Sequence, residues 1–384
     1  MNHVPISLSP EQFAMPNIRT SEGTLQASGR MNTTIQRPTA FDCFAGCGGM
    51  TEGLKQAGFR VIGAIENDAK ACEVYALNHP EVHLWPDDIE SVTAKHILDA
   101  LRLKKGELYL LGGCPPCQGF STLRTYNGGH RVRDKQNDLI FEFQRLVLTL
   151  LPKNVMMENV PGLHDNHRFS EFKAVLEGAG YHVEAKVLNV NEYGVPQRRF
   201  RLVMLASRIS TIEFAAVDST RLTVHDAIGK LPAAGNSGDP LHDLPENRTA
   251  KVKRIISAIP QDGGSRSALP SDLVLKCHKK SDGFKDIYGR MAWKKPAPTI
   301  TTGCFNPSKG RFLHPVANRA ISMREAALLQ SFPPKYKFPA KMGKVRLATM
   351  IGNALPPRFI RHHAKQLLSG RARQHRTEDV LSAD

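Results

Sequence analysis

No stretch of the chain approaches the roughly 20 consecutive apolar residues that a bilayer-crossing helix requires, which sets aside a helical membrane protein. The amino terminus lacks the basic-then-apolar pattern of an export signal, so export is not expected. Cysteine is scarce and odd in number, seven in 384 residues without regular spacing. That usage argues against a disulfide framework and for a reducing compartment. Internal repeats and metal-ligand clusters are missing too. His362 and His363 are adjacent, not four apart on one helical face, and fit a solvated helix better than a metal site.

What is present in excess is positive charge. Fifty-two Lys and Arg face 36 Asp and Glu, a formal net charge of +16. The excess is uneven, because residues 251–320 hold fourteen Lys and Arg against four Asp and Glu, a net +10. A basic face of that size suggests a polyanionic partner, with nucleic acid first in line.

Residues 1–37 are polar, scattered with Pro, Ser and Thr, and read as a flexible extension. Strand and helix patterns then alternate over residues 38–206. The first unit is a strand, Thr39–Phe44, a turn containing Gly46, Gly48 and Gly49, and a helix from about Thr51 to Ala57. This is the opening of a nucleotide-binding α/β fold, in which glycines let the backbone approach a ligand at a helix N-terminus. The next strand ends in Glu66, twenty residues after Gly46, about the offset at which an acid takes ribose hydroxyls in such folds. Asp88, in a turn after a short strand, suits either an adenine amino group or the N-cap of a helix over about 92–103.

Two further strands end in chemically distinctive turns. Leu108–Leu111 leads into Gly112-Gly113-Cys114-Pro115-Pro116-Cys117-Gln118-Gly119-Phe120-Ser121, and 153–157 leads into Glu158-Asn159-Val160-Pro161-Gly162. A doubly wound sheet would deliver Cys117 and Glu158 to the same edge, where ligands bind. Read alone, Cys117 fits a buried structural thiol, a redox partner of Cys114, or a nucleophile. Arg199 and Arg201 alternate on one face of an extended segment that begins at Gln197. After Ser207 the alternation fades. Residues 207–320 read as a second, smaller, irregular and basic domain, and residues 321–384 as a helical return to the first.

Taken in order, these residues resemble the cytosine-5 DNA methyltransferases. The resemblance rests on Phe41-Asp42-x-Phe44-x-Gly46-x-Gly48-Gly49, Glu66-Asn67-Asp68, Pro115-Pro116-Cys117-Gln118-Gly119-Phe120-Ser121 and Glu158-Asn159-Val160. It continues through Gln197-Arg198-Arg199-x-Arg201, Arg324-Glu325 with Leu329-Gln330-Ser331-Phe332-Pro333, and Gly352-Asn353. It implies a Rossmann-like α/β S-adenosylmethionine-dependent methyltransferase sheet with a smaller target-recognition domain at 207–320. It implies cofactor contacts from Phe44, Gly46, Cys47, Gly49, Glu66, Asn67, Asp88, Ile89, Pro116, Leu139, Asn353 and Ala354.

The implied chemistry explains these residue types. Carbon 5 of cytosine is too weakly nucleophilic to take a methyl group unaided, and thiolate addition at carbon 6 activates it. The resemblance makes Cys117 that thiolate and places Glu158 at ring N3 and the exocyclic amine, with Arg199 and Arg201 on the O2 side. Ser121, Arg124 and Gln197 become nucleic-acid contacts, and the target base is flipped out of a duplex. Base readers are expected around 281–290 and 299–311. No metal is implied; S-adenosylhomocysteine is the implied product. The expected partner is double-stranded DNA, and the expected enzyme a cytoplasmic, nucleoid-associated bacterial monomer, stand-alone or paired with a cognate restriction endonuclease. The alternatives are a tRNA cytosine-5 methyltransferase, a DNA-binding module without catalysis and a thiol–disulfide enzyme. The tRNA relatives usually carry Pro-Phe-Thr where this chain has Gly119-Phe120-Ser121.

Overall fold

A computed structural model of the protein describes residues 37–116, 139–275 and 285–368. The extension expected over residues 1–37 lies outside them apart from its last residue.

Seven strands form one sheet in the order β3-β2-β1-β4-β5-β7-β6. They are β1 (Thr39–Cys43), β2 (Arg60–Ile65), β3 (His83–Trp85), β4 (Leu110–Gly113), β5 (Asn154–Asn159), β6 (His182–Asn189) and β7 (Phe200–Ser207). The first five pair in parallel, whereas β7 runs antiparallel to both β5 and β6. Every residue of β4 and β5 is buried, as apolar runs covered on both faces require. One face packs on α1 (Gly49–Ala57) and a helix over 357–368 through Leu54, Phe359 and Ile360. The other packs on α4 (Leu139–Leu150) and α5 (His167–Gly178) through Phe143, Leu146, Phe172 and Leu176. Strand order reverses between β1 and β4, so their carboxyl ends open a crevice there.

Local chemistry sets the helix starts. Asp68 caps α2 (Ala69–Asn78) by accepting from Lys70 and Ala71 N–H. Thr93, not Asp88, caps α3 (Ala94–Leu101), which leaves Asp88 outside that helix. Helix α1 begins at Gly48 without a side-chain cap. Its Thr51 N–H is taken by buried Asp42 at the end of β1, at 3.0 Å, and the Thr51 hydroxyl donates to the same oxygen at 2.7 Å.

Beyond β7 the basic region contains α6 (Val224–Ile228) and α7 (Ala250–Ala258), with a local core of Ile255, Ile256, Ile259, Tyr288 and Leu313. A larger core runs from Val224, Ile228, Ile300 and Phe312 into α8 (Met323–Leu329) and α9 (Gly343–Asn353), and reaches Cys47 and Val74. The 320/321 boundary is therefore crossed by continuous packing. Arg290 and Arg311, within the ranges expected to hold base readers, are committed inward. Arg290 is fully buried and donates to the carbonyls of Ile256, Ile259, His314 and Ala317. Arg311 pairs with Asp286 and donates to the carbonyls of Gly263, Gly264 and Arg290.

Candidate active site

The crevice beyond the carboxyl ends of β1, β2, β4 and β5 is a cavity of about 720 Å³. All twelve residues expected to contact a cofactor line it: Phe44, Gly46, Cys47, Gly49, Glu66, Asn67, Asp88, Ile89, Pro116, Leu139, Asn353 and Ala354. The turn after β1 is built for close approach. Phe44, Gly46 and Gly48 all have positive φ, at 59°, 55° and 91°. A Cβ on Gly46 would meet nothing within 4 Å, so only hydrogen stands between that backbone and the cavity. A Cβ on Gly49 would lie 2.5 Å from the Leu355 carbonyl, which holds the carboxyl end of α9 against the turn.

Glu66 braces this turn from β2. Its two oxygens accept from Gly46 N–H at 2.7 Å and Asp68 N–H at 2.8 Å. Burial raises its pKa, opposed by those backbone bonds. Each carboxylate oxygen keeps acceptor capacity on the cavity side. Asn67 donates to Asp88 at 3.3 Å, giving a polar wall next to buried Ile89. A carboxylate for a diol, a polar edge, an apolar surface and an open glycine fit an adenosyl group. Cys47 contributes shape only: its thiol faces the Met350 carbonyl, and burial pushes its pKa up to about 12.

The opposite end of the cavity is charged. Glu158, at the end of β5, is 6% exposed, and Arg201 Nε lies 2.8 Å from its Oε1. Burial raises the Glu158 pKa against the pull of Arg201 and Arg199. Asn159 donates to the Pro115 carbonyl at 3.0 Å and so ties the Pro115-Pro116 turn to β5. The described chain there stops at Pro116, which lines the cavity; Cys117, Ser121 and Arg124 lie outside the described residues. Cys114 is half-buried on the same cavity wall, and desolvation with the carboxylates of Glu158 and Asp42 pushes its thiol pKa well up, which disfavours the thiolate.

A family model described as C-5 cytosine-specific DNA methylase matches residues 39–369. The chain belongs to that family. The methylase is 37% identical over 358 residues to the type II methylase M.HgiDII of Herpetosiphon aurantiacus, covering 88% of this chain and 98% of that protein. It is 32% identical to the type II methyltransferase M1.BsuMI of Bacillus subtilis, covering 93% and 87%. In fold it is similar to a DNA modification methyltransferase encoded within a prophage of E. coli, with a TM-score of 0.66 at 22% identity over 86% of this chain and 99% of that one. The Dnmt2 methyltransferase of S. pombe superposes with a TM-score of 0.57 at 19% identity, covering 87% and 99%.

The methylase's geometry adds protein partners for two of the expected site residues. Gln197, expected at the nucleic acid, is fully buried here, with both ends of its amide taken by protein partners. Arg199 lines the cavity, but its Nη1 donates to the carbonyls of Ile300 and Gly352, at 3.2 and 2.8 Å. Arg201 is the arginine paired with Glu158. Thr299–Thr302, expected among the base readers, lies on the cavity wall, and so do the α9 residues Arg346, Thr349 and Met350, which sequence reasoning missed. The helix itself was illegible because it starts at Gly343 and carries Gly352, both poor helix formers. The tight fit of Gly352 against Thr301, 2.4 Å for a would-be Cβ, explains that glycine.

Proposed function

We propose that the enzyme methylates carbon 5 of a flipped-out cytosine in a specific double-stranded DNA sequence, through a Cys117 adduct. The observation that carries the reading is the convergence of the Glu66 turn, the Glu158–Arg201 pair and the Pro115-Pro116 turn on one cavity, with Cys117 the next residue in the chain. Bound S-adenosylmethionine supplies an electrophilic methyl group on a sulfonium. Glu66 would hold its ribose hydroxyls, Asn67, Asp88 and Ile89 its adenine, and the turn from Phe44 to Gly49 the remainder.

The Cys117 thiolate adds to ring carbon 6, and the electrons of the 5,6 double bond make carbon 5 nucleophilic. Glu158, whose pKa burial raises against the pull of Arg201 and Arg199, bonds to ring N3 and the exocyclic amine and stabilises the charge that develops on addition. Arg201 fixes that carboxyl by its ion pair and presents charge toward the O2 side. Once carbon 5 carries the methyl group, loss of its proton to water or hydroxide restores the 5,6 double bond and expels Cys117 as thiolate. Extruding the base costs a few kcal/mol, which phosphate contacts from the basic 207–320 region, Ser121 and Arg124 offset. On its likeness to named type II methylases, the protein is the modification partner of a restriction endonuclease.

Purified protein, a methyl-labelled donor and duplex DNA test this reading. Label should appear in 5-methylcytosine, and Cys117→Ala should abolish transfer while still binding duplex. Turnover by that variant would refute the covalent route, and label confined to tRNA would move the substrate to RNA.

A further inference from the structure

Two fully buried glutamines, Gln197 and Gln330, form a directional chain of amides through the middle of the molecule. Ile300 N–H donates to Gln197 Oε1 at 2.7 Å, and Gln197 Nε2 donates to Gln330 Oε1 at 2.7 Å. Gln330 Nε2 then donates to the Ile351 carbonyl at 2.5 Å and the Ala354 carbonyl at 3.3 Å. Every group in that chain has one correct orientation, because reversing either amide sets two donors or two acceptors face to face.

The ends of the chain are two segments of the cavity wall. Thr299–Thr302 belongs to the basic region and lies beside Arg199 and Arg201; Gly352–Leu355 lies against the glycine turn. Independent contacts join the same segments. Arg199 Nη1 bridges the Ile300 and Gly352 carbonyls, and Gly352 is packed so closely on Thr301 and Thr302 that no Cβ fits.

We infer that Gln197 and Gln330 are positioning residues that couple DNA binding to cofactor binding, by fixing the spacing of Thr299–Thr302 and Gly352–Ala354. This rests on the assignment of the two cavity ends made above. DNA held by the basic region orders Thr299–Thr302, and the amide chain transmits that order to the segment closing the cofactor end. Neither glutamine touches substrate. Binding at either end stabilises the same arrangement, so each ligand tightens the other by one common factor.

The test is calorimetric titration of S-adenosylhomocysteine into the full-length protein, with and without cognate duplex, for wild type, Gln197→Met and Gln330→Met. Methionine keeps the volume and removes the amide. In wild type, duplex should raise affinity for S-adenosylhomocysteine on the order of tenfold. In each variant that ratio should fall toward one, and the double variant should lose no more than either single one. Should Gln330→Met not fold, Gln197→Met breaks the same chain from its other end. Variants that weaken both ligands but keep the wild-type ratio would show a structural role only and overturn the inference. A wild-type ratio of one would also overturn it while leaving the site assignment intact. Wild type that binds neither ligand would overturn the assignment and the inference together.

Discussion

The Glu158–Arg201 pair should respond unequally to loss of its two members. Their side chains are 8% and 15% exposed, so solvent screens the 2.8 Å contact weakly. Removing one partner of a buried pair typically costs about 3–5 kcal/mol, most of it from the charge left behind. Glu158→Gln leaves Arg201 beside Arg199, and arginine cannot escape by losing its proton; the full ~3–5 kcal/mol is expected. Arg201→Met leaves a carboxylate that can neutralise itself, because burial already raises its pKa. The expected cost is about 1–3 kcal/mol, that of an imperfectly satisfied buried polar group. The sign with pH follows. A carboxyl with a raised folded-state pKa binds its proton more tightly when folded, so the Arg201→Met penalty shrinks as pH falls through that pKa. The Glu158→Gln penalty has no such relief. Denaturant unfolding of both variants at several pH values, followed by the fluorescence of Trp85 and Trp293, measures the difference. Arg201→Met costing as much as Glu158→Gln at every pH would refute the reasoning.

Two other buried groups make stability predictions. Burial raises Asp42 from 3.8 to about 7, and one of its oxygens has no hydrogen-bond partner. That shift corresponds to roughly 4 kcal/mol of stability lost as pH rises from about 4 to about 7; Asp42→Asn should flatten the pH dependence of the melting temperature there, and an unchanged slope would contradict the assignment. His363, expected on a solvated helix face, is instead fully buried against Tyr193, Phe214 and Phe359 with neither ring nitrogen partnered, and burial holds its pKa down at about 3. A depressed histidine loses stability as pH falls from about 6.5 toward 3. His363→Leu should add about 1–3 kcal/mol at neutral pH and weaken that acid sensitivity, and a destabilised variant would show that the ring is needed for packing.

The sheet and the cofactor end of the site were legible because their signals are local. Apolar runs ending in glycine or acid mark β1, β2 and β5; the twenty-residue interval from Gly46 suggests a ribose ligand at Glu66, and the structure adds that Glu66 accepts from Gly46 N–H at 2.7 Å. Residues whose role depends on long-range partners were harder. Gln197 sits in a motif of exposed-looking polar residues, yet its amide is completed by Ile300 and Gln330, more than a hundred residues away. Arg290 is one of fourteen basic residues in the patch, and only the fold shows it closing on backbone carbonyls instead of facing a polyanion. Helix α9 was hidden by its two glycines, of which Gly352 lets it pack on Thr301, and with it Arg346, which pairs with Asp68 at 3.4 Å.

Bisulfite sequencing of DNA from cells expressing the wild-type protein, beside cells expressing Cys117→Ala, tests the central claim most directly. The account predicts cytosines protected within one short sequence in the wild type and none in the variant. The same cytosines protected in both, or none in either, would contradict it.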